Sequence, residues 1–188
     1  VFVSVSAFEN LLIALGIAEQ GPLPFWRPLW RKNLIDEAEA ILERYGILEY
    51  RDQAAGQLPQ GVRKLLDIAM AIVHSPRVLL LDEPTSGVSI EEKFGLMDVV
   101  MGALAGTGIT VLFVEHDMEI VGRYGKRVIA FADGAVIADG PPDTVLHDER
   151  VRELVIGEEV NAKAKPGPKA KAGRKATSAG KKEPKGHA

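Results

Sequence analysis

Hydrophobic positions follow two different patterns along the chain, and the change comes near residue 75. Before it, apolar residues recur every three to four positions, which is the spacing of a helix with one buried face. The predicted helices cover about residues 7–18, 33–45 and 62–74. After it, the short and wholly apolar runs 78–81 and 109–114 predict buried strands of a parallel sheet. A helix predicted between them, ending near Ala105, makes this part a βαβ crossover.

Several residues predict where individual helices begin and end. Ser6 and Glu9 have the spacing of a capping box, in which each side chain satisfies the backbone of the other, and so do Ser89 and Glu92. Gly46 follows the second helix and suits its C-terminal end, because glycine adopts the left-handed conformation without strain. We therefore expect helices to start after Ser6 and Ser89 and one helix to end before Gly46.

The region after the crossover predicts a hairpin and short helices. A short helix is expected near 118–124. Asp133 and Gly134 then stand between the apolar runs VIAFA and AVIA, and this dipeptide is a strong signal for a two-residue β-turn. Residues 141–157 predict one or two further short helices.

Charge is distributed unevenly and separates the last segment from the rest. The chain has 188 residues and a formal net charge of −3, but residues 161–188 hold nine basic residues and one acid, Glu183. This segment is rich in lysine, proline and glycine and has no aromatic residue, so we expect a disordered basic tail over 158–188. A solvating role is one interpretation, and a weak attraction to anionic lipid or to nucleic acid is the other.

Composition also excludes several kinds of site. The chain has no cysteine, which excludes disulfides and cysteine-ligated metal. No stretch approaches the ~18 apolar residues of a membrane-spanning helix. The first residues lack the basic start of a secretory signal. Residues 21–30 carry three prolines and both tryptophans, and they predict an irregular connection that the tryptophans pack down.

Two carboxylates follow the first predicted strand directly. Asp82 and Glu83 end the run VLLLDE, and ligand sites of open α/β sheets lie at the carboxyl ends of the strands. One carboxylate there can hold Mg²⁺, and its neighbour can orient or deprotonate an attacking water. The alternation of side chains along a strand points the two groups in different directions, so they can take separate roles.

Two further segments carry candidate chemistry. His116 follows the second predicted strand and should therefore face the same sheet edge as Asp82 and Glu83, where an imidazole can bond a terminal phosphate oxygen. In QLPQGVRKLL, a turn containing Gly61 opens a helix, and the free N–H groups of such a start favour phosphate. From this segment alone, an ordinary amphipathic helix is the favoured interpretation.

In this order, the segments resemble the nucleotide-binding subunit of ATP-binding-cassette (ABC) transporters. The match covers about residues 1–157 and implies a partial P-loop NTPase domain of the α/β class, with a parallel sheet core, a helical subdomain and a C-terminal β-hairpin. LLLDEPTSG matches the Walker B strand and D-loop, VEHD matches the switch histidine, and LPQGV stands at the signature position. The resemblance implies magnesium binding by Asp82, catalysis by Glu83 and His116, and nucleotide contacts from Pro59, Gln60, Gly61, Ser86 and Gly87.

A narrower resemblance points to the group that takes up branched-chain amino acids. ENLLIALG, the FWRPLWRK insertion, VEHDMEIV and the ending VRELVIGEE carry it. The group implies ATP and Mg²⁺ as ligands, and a second ATP-binding subunit, identical or related, closing head to tail. It also implies membrane permease subunits, an external binding protein acting indirectly, and a peripheral location on the cytoplasmic face of the plasma membrane.

Two features depart from the family's pattern. The phosphate loop GxxxxGK(S/T) and the Q-loop are absent, and in the family's order both would precede residue 1, so we expect an N-terminally truncated chain. In LPQGV, Pro59 replaces the signature serine, Gln60 replaces a glycine and Val62 replaces the glutamine. Two alternatives therefore stay open: a catalytically incompetent interaction module, or a soluble ABC-type ATPase whose tail binds nucleic acid.

The resemblance and the pattern together imply three regions. A mostly helical subdomain with the signature helix covers 1–74, an α/β core with its extension covers 75–157, and the tail covers 158–188.

Overall fold

The computed structural model describes residues 1–19 and 28–157. Within them the helices are α1 Ala7–Ala18, α2 Lys32–Arg44, α3 Gln60–Ile72, α4 Ile90–Leu104, α5 Met118–Tyr124, α6 Pro142–Val145 and α7 Glu149–Val151. The strands are β1 Val78–Asp82, β2 Thr110–Val114, β3 Val128–Ala132 and β4 Ala135–Gly140. Short 3₁₀ turns cover Leu48–Tyr50 and Ala55–Gln57, and a π-helical turn covers Arg152–Ile156. Every helix and strand predicted from 1–157 is therefore present, with ends shifted by two residues or fewer for the longer ones.

The predicted capping boxes have different outcomes. At α1 the box is formed, since the Glu9 N–H donates to Ser6 Oγ at 3.1 Å and the Ser6 N–H donates to Glu9 Oε2 at 2.8 Å. At α4 the prediction is wrong, because the Ser89 side chain makes no capping bond. That helix still begins directly after Ser89, because burial of Met97 and Val100 in the core stabilises it without the box.

The two sheets have the predicted pairing. β1 and β2 are parallel, with Leu80 opposite Leu112 and Asp82 opposite Val114. β3 and β4 are antiparallel around the two-residue turn Asp133-Gly134, where both residues have positive φ, at 49° and 77°. That conformation is the one that Asp-Gly favours in hairpins.

One main hydrophobic core joins the helices to the parallel sheet. It contains buried side chains from α1, α2, α3, α4, α5 and β1, among them Phe8, Leu34, Leu66, Met97 and Ile120, and β2 packs partly buried side chains against it. A second and smaller cluster, Ala130, Val145 and Val151, lies between the hairpin and the short helices after it. The main core crosses residue 74, and the division of the chain at that point stays a prediction.

The parallel sheet buries one face in the described residues, whereas the apolar runs predicted burial on both. Leu79 and Leu81 point into the core, at 5% and 9% exposure, while Leu80 on the opposite face is 70% exposed. Leu112 and Val114 share that open face, at 54% and 61% exposure. No element among residues 1–19 and 28–157 lies over it, so the β1 side chains alternate between buried and exposed.

Two predictions fall partly or wholly outside the described residues. The tail 158–188 lies outside them, as does Trp26. Trp30 is described and packs its ring against Phe8, with the ring centroids 5.8 Å apart. No helix of the described part is long and apolar enough to cross a membrane.

Candidate functional site

The carboxyl ends of β1 and β2 bring three candidate side chains to one edge. Because Asp82 is paired with Val114, the next residues on the two strands lie side by side. The Glu83 N–H donates to Val114 O at 2.9 Å, which extends the ladder by one residue. His116 Nδ1 then lies 3.5 Å from Glu83 Oε1, with both side chains open to solvent. The predicted proximity of Asp82, Glu83 and His116 is confirmed, and their roles stay predictions.

Glu83 has an unusual backbone conformation. Its φ is +44°, the left-handed region that a residue with a Cβ avoids. Besides its bond to Val114, its carbonyl accepts a bond from Lys64 Nζ at 2.7 Å and one from the Ser86 N–H at 3.1 Å. Strain of this kind persists where surrounding contacts over-determine it, and it concentrates at functional sites. These bonds therefore fix the direction in which the Glu83 carboxylate leaves the strand.

The turn after β1 is tied to the loop after β2 by a contact that the motif analysis missed. Thr85 is buried, and both its N–H and its Oγ1 donate to Glu115 Oε1, at 2.9 and 2.6 Å. Glu115 directly precedes His116 in the chain. A carboxylate between a strand end and a candidate histidine is the sequence signal that would have marked it.

The start of α3 lies against the same turn. Pro59 precedes the helix and offers no side-chain hydroxyl or acceptor there. Gln60 Nε2 donates to Ser86 O at 3.4 Å, and the Gln60 amide fills the space beside Gly87. A Cβ on Gly87 would lie 2.2 Å from Gln60 Nε2, so that amide would have to move, and the φ of +73° favours glycine at this position in any case. Gly61 faces α4, where a Cβ would lie 3.8 Å from Leu96 Cδ1.

Asp117 anchors the other side of the His116 loop. It begins α5 by accepting bonds from the Glu119 and Ile120 N–H groups, and it forms an ion pair with Lys93 of α4. The hydrogen bond to Asp117 raises the pKa of Lys93, although burial opposes this. His116 therefore lies between Glu115, which bonds to the turn after β1, and Asp117, which bonds to α4.

The comparisons with known proteins agree with this geometry. A family model described as ABC transporter matches residues 2–86. The high-affinity branched-chain amino acid transport ATP-binding protein BraF of Pseudomonas aeruginosa is 30% identical over 84% of the chain. A crystal structure of MJ1267, an ATP-binding cassette of an ABC transporter in its ADP conformation, superposes over 84% of the chain with a TM-score of 0.68 and 30% identity. The chain is therefore similar to the ATP-binding subunits of ABC transporters over most of its described residues.

Other transport groups of this ABC family are equally similar in sequence. The phosphonates import ATP-binding protein PhnC 1 of a Synechococcus strain is 31% identical over 82% of the chain. The chain spans 64% of the length of BraF and 58% of that of PhnC 1, and 65% of the MJ1267 cassette. The ABC ATPase type of P-loop NTPase fold follows from these matches.

The residues at the sheet edge fit a magnesium ion that is shared with a nucleotide. Mg²⁺ in nucleotide sites is held by one or two carboxylates together with substrate phosphates. Asp82 is exposed at the strand end, beside a cavity of about 320 Å³ that is also lined by Lys64, Asp67 and Pro84. Among the described residues no three carboxylates or imidazoles gather into a separate metal cage. A single open carboxylate is what a phosphate-bound Mg²⁺ requires.

Lys64 is a cation at this sheet edge that sequence reasoning overlooked. It lies on α3 and donates to the Glu83 carbonyl at 2.7 Å. Burial lowers its pKa, and the negative charges of Glu115 and Glu83 act in the opposite direction. A basic residue one turn into a helix that faces a strand-end carboxylate pair is the pattern that would have identified it.

Proposed function

We propose that this chain is the signature, Walker B and switch part of the ATPase subunit of an ABC importer. The observation that carries the proposal is the Glu83 carboxylate, which strained backbone holds at a strand end, beside Asp82 and 3.5 Å from His116. Parallel strand ends are where α/β folds bind their ligands, and phosphoryl transfer depends on positioning and electrostatics.

Each residue of the edge has a role in the proposed hydrolysis of ATP. Asp82 would hold Mg²⁺, which supplies charge neutralisation at the phosphates. Glu83 orients an attacking water and accepts its proton, and His116 donates a hydrogen bond to a terminal phosphate oxygen. The sequence contains no GxxxxGK(S/T) motif, so the cradle for the β- and γ-phosphates is assigned to residues outside these 188.

The signature segment serves a second subunit in this proposal. Two subunits, identical or related, close head to tail, and the α3 start with Pro59, Gln60 and Gly61 faces the nucleotide of the partner. Ser86 and Gly87 lie beside that start and belong to the same surface. The membrane permease and, indirectly, an external binding protein complete the importer, which places the subunit at the cytoplasmic face of the plasma membrane.

Branched-chain amino acids are the substrate class that we propose. The support is the similarity to BraF together with the ENLLIALG, VEHDMEIV and VRELVIGEE segments. Uptake of leucine by a strain that depends on the importer tests this choice. A loss of phosphonate uptake instead, after deletion of the protein, would contradict it.

The first test of activity is Glu83→Gln in the full-length protein that carries this sequence. We expect steady-state ATP hydrolysis to fall at least about a hundredfold while MgATP binding is retained, because the amide cannot accept the proton of the water. Glu92→Gln, an exposed carboxylate of α4, is the matched control and should hydrolyse ATP at the normal rate. Normal turnover in Glu83→Gln would remove the catalytic role.

His116→Ala is the second test in the same protein. We expect turnover to fall at least about tenfold, since one hydrogen bond to a charged phosphate is lost. His147→Ala, an exposed histidine of the region after the hairpin, is the control. An unchanged rate would make His116 a structural residue.

A titration of the 188-residue chain tests the assignment of the phosphate cradle. At about 50 µM protein, calorimetry should detect no saturable MgATP binding. Micromolar binding would place a complete nucleotide site inside these residues and overturn the assignment.

An interaction module without hydrolysis is the second candidate function. Pro59 favours it, because the helix start there has no side-chain hydroxyl for a phosphate. Association of the full-length protein with its permease in the absence of ATP turnover would support this candidate. The nucleic-acid interpretation of residues 161–188 stays a prediction, tested by comparing salt-sensitive binding to nucleic acid with and without them.

A further inference from the structure

Glu115 is a half-buried carboxylate that lies between the turn after β1 and the loop after β2. Its Oε1 accepts both bonds that Thr85 donates, from N–H at 2.9 Å and from Oγ1 at 2.6 Å. Its Oε2 is buried and has no hydrogen-bond partner among the described residues. Removing a carboxylate from water costs free energy unless hydrogen bonds compensate for it, so the bonds that Glu115 makes need an explanation.

Glu115 also acts on the signature helix. The Lys64 ammonium of α3 bonds the Glu83 carbonyl at 2.7 Å, and the charge of Glu115 is the strongest attraction that favours its charged form. One carboxylate therefore binds the turn after β1, attracts a cation from α3 and directly precedes His116. Three segments of the candidate site meet at this single side chain.

The position of Thr85 makes this contact relevant to Glu83. Thr85 lies two residues after Glu83, and the Ser86 N–H between Thr85 and Gly87 closes the turn onto the Glu83 carbonyl at 3.1 Å. Holding Thr85 thus holds the turn that keeps Glu83 at its φ of +44°. If Glu115 is removed, the buried Thr85 hydroxyl and amide lose their acceptor, and the turn and the His116 loop lose the two hydrogen bonds that join Thr85 to Glu115.

We propose that Glu115 is a positioning residue that locks the turn carrying Glu83 to the loop carrying His116. The proposal deepens the proposed ATPase function and rests on it for the catalytic consequence. It predicts that Glu83 and His116 act as one unit whose geometry depends on a residue that touches neither nucleotide nor water.

The first experiment uses the 188-residue chain and needs no ATP. In Glu115→Ala, amide hydrogen exchange of Thr85 should accelerate about tenfold or more, because a bond to a charged acceptor is lost. NMR signals of both Glu83 and His116 should shift. Glu115→Gln keeps a carbonyl acceptor and should restore most of the protection. Glu119→Ala removes an exposed carboxylate nearby and is the control. Unchanged exchange at Thr85, or shifts confined to one of the two loops, would overturn the proposal.

The second experiment measures hydrolysis by the full-length protein that carries this sequence. Glu115→Ala should lower kcat about tenfold or more, with KM for MgATP changed less than about threefold, and Glu115→Gln should recover most of the rate. Thermal unfolding curves show whether each variant is folded at the assay temperature. Equal kcat for folded Glu115→Ala and the unchanged protein would overturn the proposal. If the unchanged protein hydrolyses no ATP, the proposed function fails, whereas the exchange experiment still decides whether Glu115 joins the loops.

Discussion

The strained backbone of Glu83 predicts which of two substitutions at this position leaves the chain more stable. Glu83→Ala and Glu83→Gly both delete the carboxylate and its contact with His116, so their difference reports only the backbone. A left-handed φ costs a residue with a Cβ about 1–2 kcal/mol. Glycine escapes that cost but loses about 0.5–1 kcal/mol through its greater freedom in the unfolded chain. We therefore expect Glu83→Gly to be more stable than Glu83→Ala by about 0.75 kcal/mol, the middle of a difference of roughly 0–1.5 kcal/mol.

Equilibrium urea unfolding of the 188-residue chain measures this difference. The same pair of substitutions at Asp82 is the matched control, since Asp82 lies one residue earlier in the extended strand and is also exposed. There the order should reverse, with glycine about 0.5–1 kcal/mol less stable than alanine. If glycine is the less stable residue at both positions, Glu83 carries no strain, and the argument that its direction is fixed by the backbone is refuted.

The remaining predictions concern Gly87 and Asp117 near the site and Phe8 in the main core. Gly87→Ala should destabilise the chain by about 1–2 kcal/mol because of its positive φ and the close Gln60 amide. Gln60→Ala should recover only part of this loss in a double-mutant cycle by urea unfolding, and strictly additive values would contradict the contact. Asp117→Ala should cost about 2 kcal/mol or more, and more than Lys93→Met, because it removes a helix cap and leaves the Lys93 ammonium only its longer ion pair with Glu119, at 3.6 Å. Burial raises the pKa of Asp117, but the bonds from Lys93 and from the backbone outweigh burial and lower that pKa below 3.8. The contribution of Asp117 to stability is therefore complete above pH 3.8 and is lost as the pH falls through the lowered pKa. A pH series should therefore show that Asp117→Asn flattens the acid limb of the stability curve. Phe8→Ala should cost about 3–5 kcal/mol, measured by the same unfolding assay, because its ring is fully buried.

Local chemistry made most of the fold predictable. The capping box at Ser6 and the Asp133-Gly134 turn depend on neighbours within a few residues, and the structure has both. The box at Ser89 has the same spacing but does not form, because packing of α4 on the core already stabilises the helix. Burial of only one face of β1 could not be predicted either, since an apolar run is compatible with burial on both faces but does not show which elements cover each face.

The residues at the sheet edge could be predicted from the sequence, but the contacts that hold them could not. The proximity of Asp82, Glu83 and His116 follows from the rule that the ends of parallel strands share one edge of the sheet. The Thr85–Glu115 bonds depend on side chains 30 positions apart, and no local spacing encodes them. Lys64 is likewise brought to Glu83 only by the packing of α3 beside the sheet.

The small cluster beneath the hairpin gives the protein a second, weaker unit of stability. Ala130, Val145 and Val151 form it apart from the main core, and α5 is the junction, with Ile120 in the main core and Gly122 against Leu146, the residue that follows α6. Few buried apolar contacts mean a low free energy of local opening. In native-state hydrogen exchange the amides of β3 and β4 should therefore form a separate cooperative unit that opens while β1 and β2 stay closed. Conditions that open the hairpin would then leave the sheet edge with Asp82, Glu83 and His116 intact.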